Sequence, residues 1–423
     1  MPIPRKEKRI NKRVLIVGEF GSINGGENSL LAIAPRLIEF GWQFSAAVPS
    51  QSDFATALES ANIEVHSWSV RNTDQSRKTA QQISSELREL ITKLAPAILH
   101  FNSLSTSRIG GPIANDLGVP SLGYLRDILK LSKKAISDLN QLDRVIAVSE
   151  ATRQWHIGQG LDAQKSHTVH NGIDAKLFCP LNLDQPSPDQ PSSSEKLDIR
   201  SELSIPTDAP VLIFVGQIGM RKGVDVLIES FLQVAAQTDA HLLIIGQRHS
   251  QKDEAIQYHQ KLVAAVDSSE HRQRVHWLGR RTDVAEIMAH ATMLIHPARQ
   301  EPLGRVLLES AASGLPIVTT NVGGSAEILS DNGGVNETNL ASLLIELPAL
   351  SESETASPEK RNILNQRLSR SISKRILELL RAPDELNQIG KQLRRHAIEN
   401  FSIERCASQI DMHYKSLTKR AVL

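Results

Sequence analysis

Glu301-Pro302-Leu303-Gly304-Arg305-Val306-Leu307-Leu308-Glu309, followed by Gly314-Leu315-Pro316-Ile317-Val318-Thr319-Thr320-Asn321-Val322-Gly323-Gly324, is the stretch on which the reading of this chain turns. Pro-Leu-Gly signals a helix start. Gly304 lets a ligand come close to the backbone, and the first N–H groups of the following helix face an anion. Glu301 precedes the helix, and Glu309 is read as two turns inside it, so both acids reach one side of one pocket. Carboxylates beside an anion site accept hydrogen bonds from hydroxyls, because further negative charge would repel the anion. A ligand with hydroxyls at both ends and phosphates in the middle, such as a nucleotide-sugar, meets that requirement. An acid at a helix start can also serve only to stabilise the helix dipole, which is the plainer reading of Glu301 alone. Glu309 is flanked by Val306, Leu307, Leu308, Ala311 and Ala312, and a charge in so apolar a helix calls for a partner.

Outward from this stretch the chain alternates short apolar strands with helices. Val14–Val17, Phe44–Val48, Ile63–Trp68, Ile98–His100, Ser121–Tyr124 and Val145–Val148 form a first series, with a helix over Ser76–Leu94 among those between. Val211–Val215, His241–Ile245, Val275–Trp277, Met293–His296 and Ile317–Thr320 form a second. Between the series, residues 183–205 carry Pro186, Pro188, Pro191 and Ser192-Ser193-Ser194, a linker composition. Short apolar strands alternating with helices predict parallel sheets covered on both faces. The expectation is α/β: a first Rossmann-like domain over 1–182, a linker over 183–205 and a second domain over 206–400. Ligands of doubly wound sheets bind beyond the carboxyl ends of the strands, so a central cleft between the domains is the expected site. Ser351–Glu359 reads as a polar loop and the chain from Lys360 onward as helical. The stripe Ile403, Cys406, Ala407, Ile410, Tyr414 and Leu417 marks a last amphipathic helix within 401–423.

At 423 residues the chain exceeds one ordinary core. Lys plus Arg, 48, nearly cancel Asp plus Glu, 47, so no global charge points to nucleic acid. Cys179 and Cys406 are too few for a metal site and fit free thiols in a reducing cytoplasm. No apolar run approaches the length of a membrane span. Arg5, Lys6, Lys8, Arg9, Lys12 and Arg13 precede the first strand. They read as a solvated tail, with weak peripheral contact to anionic lipid at the inner face of the membrane as the alternative.

Several segments then converge. Gly25-Gly26-Glu27 follows the first strand; Asn171-Gly172-Ile173-Asp174, with Phe178 and Pro180, closes the first domain. Gly216-Gln217 with Lys222-Gly223 follows the first strand of the second series. Glu301 to Glu309, Gly323-Gly324 with Glu327, Leu278-Gly279 and Phe401-Ser402 complete the set. Together they resemble the retaining GT-B glycosyltransferases of the family 4 (glycosyl transferases group 1) type. That resemblance implies two Rossmann-like domains facing a cleft, with the C-terminal helix crossing back to the first. It implies metal-independent transfer of a hexose-type sugar, with retention, from a UDP- or GDP-sugar to a glycan or lipid-linked acceptor. It needs no cofactor and no metal site. By position, Glu301 contacts the donor sugar, Leu303 and Gly304 present backbone N–H groups, and Glu309 takes the ribose hydroxyls. Lys222 neutralises the diphosphate, Gly25 and Gly26 face the same phosphates, and Gly279-Arg280 lies where the family contacts the base. Asp127 matches the second residue of a His-Asp pair near the reacting centre. A diphosphate leaving group gains charge as the glycosidic bond breaks, so a preorganised cation favours the transition state.

Two positions depart from the family pattern. Gln217 stands where Arg is usual, and Arg221 beside Lys222 is the candidate source of the missing charge. Arg126 stands where His is usual and cannot act as a base. His100, one strand earlier, matches a common family histidine and equally suits a structural strand end. Lys130, Lys133 and Lys134 form either a basic patch toward a lipid-linked acceptor or a solvated face. A Rossmann dehydrogenase would need Gly-x-Gly-x-x-Gly, which Gly18-Glu19-Phe20-Gly21 does not supply. A nucleotide-sugar epimerase on the same fold is disfavoured by the context of the two acids. A GT-B shell without catalysis remains the alternative, with Gln217 and Arg126 as its support.

Overall fold

The computed structural model describes residues 12–180, 199–248, 250–330, 340–348 and 358–420. Arg5 to Arg9, most of the 183–205 linker and most of the Ser351–Glu359 loop lie outside the described residues. The chain divides into two compact units, Met1–Gly172 with Ile403–Leu423, and Ile173–Ser402.

Among its described residues the first unit holds seven strands: β1 (Arg13–Val17), β2 (Gln43–Val48), β3 (Glu64–Ser67), β4 (Ile98–Phe101), β5 (Ser121–Leu125), β6 (Arg144–Ala147) and β7 (Ser166–Thr168). They pair in parallel in the order β3-β2-β1-β4-β5-β6-β7. Successive β1 residues serve opposite faces. Leu15 and Val17 join Leu99, Phe101 and Leu87, while Ile16 joins Leu30, Ala46 and Phe54. That split is why β1 reads as a continuous apolar run instead of an alternating one. The helix begins at Ala80, not Ser76, because Thr79 caps it: its side chain accepts from Gln82 N, and Gln82 Oε1 accepts in turn from Thr79 N. The three-residue edge strand β7 escapes the sequence reading.

The C-terminal helix Ile403–Arg420 returns to this unit and packs on the Gly25–Glu39 helix. The expected stripe faces inward, with Ile410 and Tyr414 fully buried and Ile403 half-buried at its start. Arg36 bridges Glu39 and Glu404 on the surface between the two helices.

Among its described residues the second unit holds six parallel strands: β8 (Val211–Val215), β9 (His241–Ile245), β10 (Val275–Gly279), β11 (Met293–His296), β12 (Ile317–Thr320) and β13 (Leu344–Ile345). Their order is β10-β9-β8-β11-β12-β13. The winding direction reverses between β8 and β11, which opens a crevice at their carboxyl ends. The loop after β8 carries Lys222 and the loop after β11 carries Glu301. No helix of the described residues is long and apolar enough to cross a membrane.

Candidate donor site

Two close backbone approaches shape the crevice of the second unit. Gly223 ends a short 3-10 turn, Met220–Lys222, with φ +68°. A Cβ there would stand 1.9 Å from the Pro297 carbonyl oxygen, so only glycine lets the Lys222 turn lie against the start of the β11 loop. A Cβ on Gly246, φ +140°, would meet the Gly216 carbonyl oxygen at 1.9 Å, which joins the ends of β8 and β9 in the same way.

Onto this frame the β11 loop is tied at several points. Arg299 donates to both oxygens of Asp225, at 2.9 and 2.7 Å, and to Met220 O and Asn365 Oδ1. Tyr258 Oη donates to Asp225 Oδ1 at 2.8 Å. Burial alone would raise the Asp225 carboxyl; the Arg299 guanidinium outweighs it and holds the group below the usual carboxylate range. The Gly324 N–H donates to the Glu301 carbonyl at 3.0 Å, which brings the Gly323-Gly324 turn to the same place. Arg221 Nη1 donates to the Gln300 carbonyl at 3.2 Å.

At the centre Glu301 is 6% exposed. Its Oε2 accepts from Lys222 Nζ and, at 2.7 Å, from His296 Nε2. Among the described residues Glu301 Oε1 has no hydrogen-bond partner. Burial would raise this carboxyl, but the Lys222 charge and the His296 hydrogen bond override it and hold it well below the usual range. His296 is fully buried, and burial followed by the Lys222 charge pushes its pKa down. Since an ionised carboxylate can only accept, the ring proton that faces Glu301 sits on Nε2. The sequence reading treated His296 only as a strand end. The available signal was a histidine closing an otherwise apolar strand five residues before Glu301.

Gly304 caps the Arg305–Ala312 helix in the left-handed region, φ +97°, where a Cβ would also crowd Leu307 at 2.8 Å. The helix starts at Arg305, so Glu309 lies one turn inside it and not two. Its expected partner is Arg305, four residues back, whose Nε donates to Glu309 Oε1 at 3.0 Å. Burial raises the Glu309 carboxyl, and Arg305 opposes that only in part. Leu303 is buried beneath the loop, and Gln217 and Arg280 are exposed. Gly279 stands at φ +64° with its carbonyl accepting from Gly246 N at 2.7 Å. The structure thus brings Lys222 and Glu301 into contact and seats Leu303 and Gly304 between them and Glu309. Gln217 follows β8, while Gly279 ends β10 with Arg280 directly after it, on the far side of β9 in the sheet order.

In the first unit, Gly25 and Gly26 open the Gly25–Glu39 helix, and Glu27 Oε2 accepts from the Asn24 N–H at 3.0 Å as a cap. Gly26 makes room for Arg126, whose Cδ would lie 3.0 Å from an added Cβ. Arg126 donates to Asn102 O, Asn102 Oδ1 and Asn171 Oδ1, and its guanidinium lies 4.2 Å over the Tyr124 ring. Asp127 is exposed, and its carbonyl accepts from His156 Nε2 at 2.9 Å. His100 is fully buried, stacked on Tyr124 and hydrogen-bonded through Nδ1 to Tyr414 Oη. Of its two readings, the structural strand-end one holds. Lys134 pairs with Asp138, and Lys130 and Lys133 are exposed.

Comparison with known proteins agrees with this anatomy. Residues 209–349 match the family described as "Glycosyl transferases group 1", and residues 23–177 match "Glycosyltransferase Family 4". The chain is 27% identical over 282 residues to an alpha-maltose-1-phosphate synthase of Mycolicibacterium smegmatis, covering 65% of this chain and 64% of that protein. It is 38% identical over 134 residues to the lipopolysaccharide glucosyltransferase WaaG of Escherichia coli, covering 31% of this chain and 33% of that one. These matches span less than two thirds of either relative. Among solved structures, Anabaena Alr3699/HepE in complex with UDP and glucose superposes with a TM-score of 0.73 at 20% identity, covering 96% of this chain and 100% of that one. Sequence matches in both units, the GT-B architecture of the structural neighbours and the returning C-terminal helix agree: the chain belongs to the glycosyl transferases group 1 family, family 4 of the GT-B glycosyltransferases.

Proposed function

We propose that this chain transfers a hexose-type sugar, with retention, from a nucleotide-sugar donor to a glycan or lipid-linked acceptor. The observation that carries the reading is the convergence of Lys222 and His296 on one oxygen of Glu301. A buried carboxylate is kept ionised, its Oε2 is engaged, and its Oε1 is left to accept from a sugar hydroxyl. Lys222 lies beside it, with the flexible stem and localised charge that suit a phosphate. The diphosphate draws Lys222 toward itself, and the growing charge on the leaving group is stabilised there more than in the ground state. The N-terminus of the Arg305–Ala312 helix, opened by Gly304, carries the positive end of the helix dipole and suits the same anion. Glu309 then serves the ribose hydroxyls, with Arg305 fixing its orientation, and Gly279-Arg280 flanks the base. The Alr3699/HepE structure is a complex with UDP and glucose, which makes a UDP-sugar the first donor to try.

The test is thermal stabilisation by a panel of UDP-, GDP- and ADP-sugars, followed by donor hydrolysis and transfer. Binding to the folded state raises the melting temperature by mass action. One donor class is expected to stabilise and to turn over; no stabilisation by any of them would sink the reading. A catalytically silent shell is the second reading. It is favoured by the exposed Gln217 at the usual Arg position and by the anchoring of Arg126 where a histidine is usual. It predicts stabilisation without turnover.

A further inference from the structure

Every donor that leaves a buried ion pair must leave its partner satisfied. If Lys222 swings toward a diphosphate, Glu301 loses its cation inside the protein. A buried carboxylate with no donor is costly, so binding would have to overcome that loss. Among the described residues His296 is the one other group that donates to it.

Its position is fixed from several sides. It ends β11, and Thr319 Oγ1 donates to its carbonyl at 2.9 Å. Its ring lies nearly parallel to Phe214, with centroids 6.3 Å apart and planes at 14°. Its Nδ1 is buried and has no partner among the described residues, so the ring's only polar interaction is the bond to Glu301. Lys222, by contrast, sits on a short turn with a flexible stem. One donor to Oε2 is rigid and the other is able to move.

Resting on the nucleotide-sugar reading above, we propose that His296 is a positioning residue that holds and satisfies Glu301 Oε2 while Lys222 turns to the diphosphate of the bound donor. Oε1 then keeps its aim at the sugar through the exchange. A histidine serving only to fill the core would not couple to the charge on Glu301; a histidine serving this exchange does.

The experiment is a cycle read by calorimetric titration with UDP, GDP and ADP. His296→Phe keeps a ring and removes the donor, leaving Lys222 as the one partner of the Glu301 carboxylate among the described residues. Its affinity for the nucleoside diphosphate is expected to fall about tenfold, the size of one hydrogen bond to a charged group. His296→Gln, which returns a donor near the Nε2 position, is expected to stay within about threefold of the parent. Adding Glu301→Gln to His296→Phe removes the charge that traps Lys222, so the affinity should return to that of Glu301→Gln alone. His296→Asn is too short to reach Oε2; it carries the same expectation and covers the case in which the phenylalanine variant does not fold. An unchanged affinity in the folded single variants, or no recovery in the double variant, overturns the role of His296 and leaves the donor reading standing. Parent protein that binds none of UDP, GDP and ADP overturns both.

Discussion

The Trp42 indole N–H donates to Asp411 Oδ1 at 2.9 Å, a buried hydrogen bond that ties the start of the chain to its last helix. Tyr414, one turn on, meets the Trp42 ring edge-on with centroids 5.0 Å apart and places its hydroxyl on His100 Nδ1. Truncation after Asn400 therefore strips a polar partner from Trp42 and from His100 and uncovers the apolar face that Ile410 and Leu417 cover. The truncated protein is expected to be insoluble, or to melt at least about 10 °C lower, as a loss of several kcal/mol implies for a domain of this size. Tyr414→Phe, which deletes only the hydroxyl, should cost about 1 kcal/mol. A soluble truncation of unchanged melting temperature would make the helix an independent tail.

Acid should unfold the first unit earlier than its carboxylates alone would predict. Burial, then the Arg126 charge, pushes His100 down to about 3. Burial, then His167 and Arg144, pushes His413 down to about 4. In the unfolded chain both take up protons near the ordinary histidine value of about 6.5, which the folded state refuses. The unfolded state therefore binds more protons in that window, and stability rises with pH across it. The contribution is complete above about 6.5 and is lost as pH falls toward 4 and then 3. Melting curves from pH 7 to pH 4 should show this decline, with a shallower slope in His100→Gln. An identical slope in that variant would remove His100 from the account.

The parallel sheets were legible because their strands are buried on both faces and so appear as uninterrupted apolar runs. Ser166–Thr168 and Leu344–Ile345 were not, since edge strands of three and two residues carry no such run. The Arg305–Glu309 pair follows from spacing once the helix start is known, and misplacing that start put Glu309 a turn too deep. The anchoring of Arg126 could not be read, because Asn102 and Asn171 are far from it in sequence and meet it only through the sheet. His296 could have been found: a strand residue that must be polar and buried at once needs a partner, and Glu301 was the nearest acid.

Lys222→Ala removes the cation assigned to the diphosphate. Turnover is expected to fall at least about a hundredfold in a variant that remains folded, since His296 still donates to Glu301. Arg221→Ala tests whether the charge absent at Gln217 has moved next door. Its guanidinium already serves the Gln300 carbonyl, so a smaller loss, about tenfold, is expected. A loss equal to that of Lys222→Ala would assign the two cations one shared task. Because side chains supply this charge, activity should persist in EDTA. Abolition by chelator with recovery on magnesium or manganese would contradict the scheme.

Glu301 and Glu309 should separate in their kinetics. Glu309 is assigned to the ribose, which the donor and the free nucleotide share, and Arg305 Nε donates to it. Glu309→Gln should therefore weaken both by about tenfold, as loss of a hydrogen bond to a charged acceptor implies. Glu301 is assigned to the sugar being transferred, which the free nucleotide lacks. Glu301→Gln should leave nucleoside diphosphate affinity nearly unchanged and lower turnover of the donor, because only contacts that strengthen toward the transition state raise the chemical rate. Titration of both variants with UDP, alongside donor turnover, decides the matter. Loss of the free nucleotide in Glu301→Gln but not in Glu309→Gln would reverse the two roles. No change in either variant would mean that both acids serve the local fold, Glu301 through Lys222 and His296 and Glu309 through Arg305, with the donor bound elsewhere.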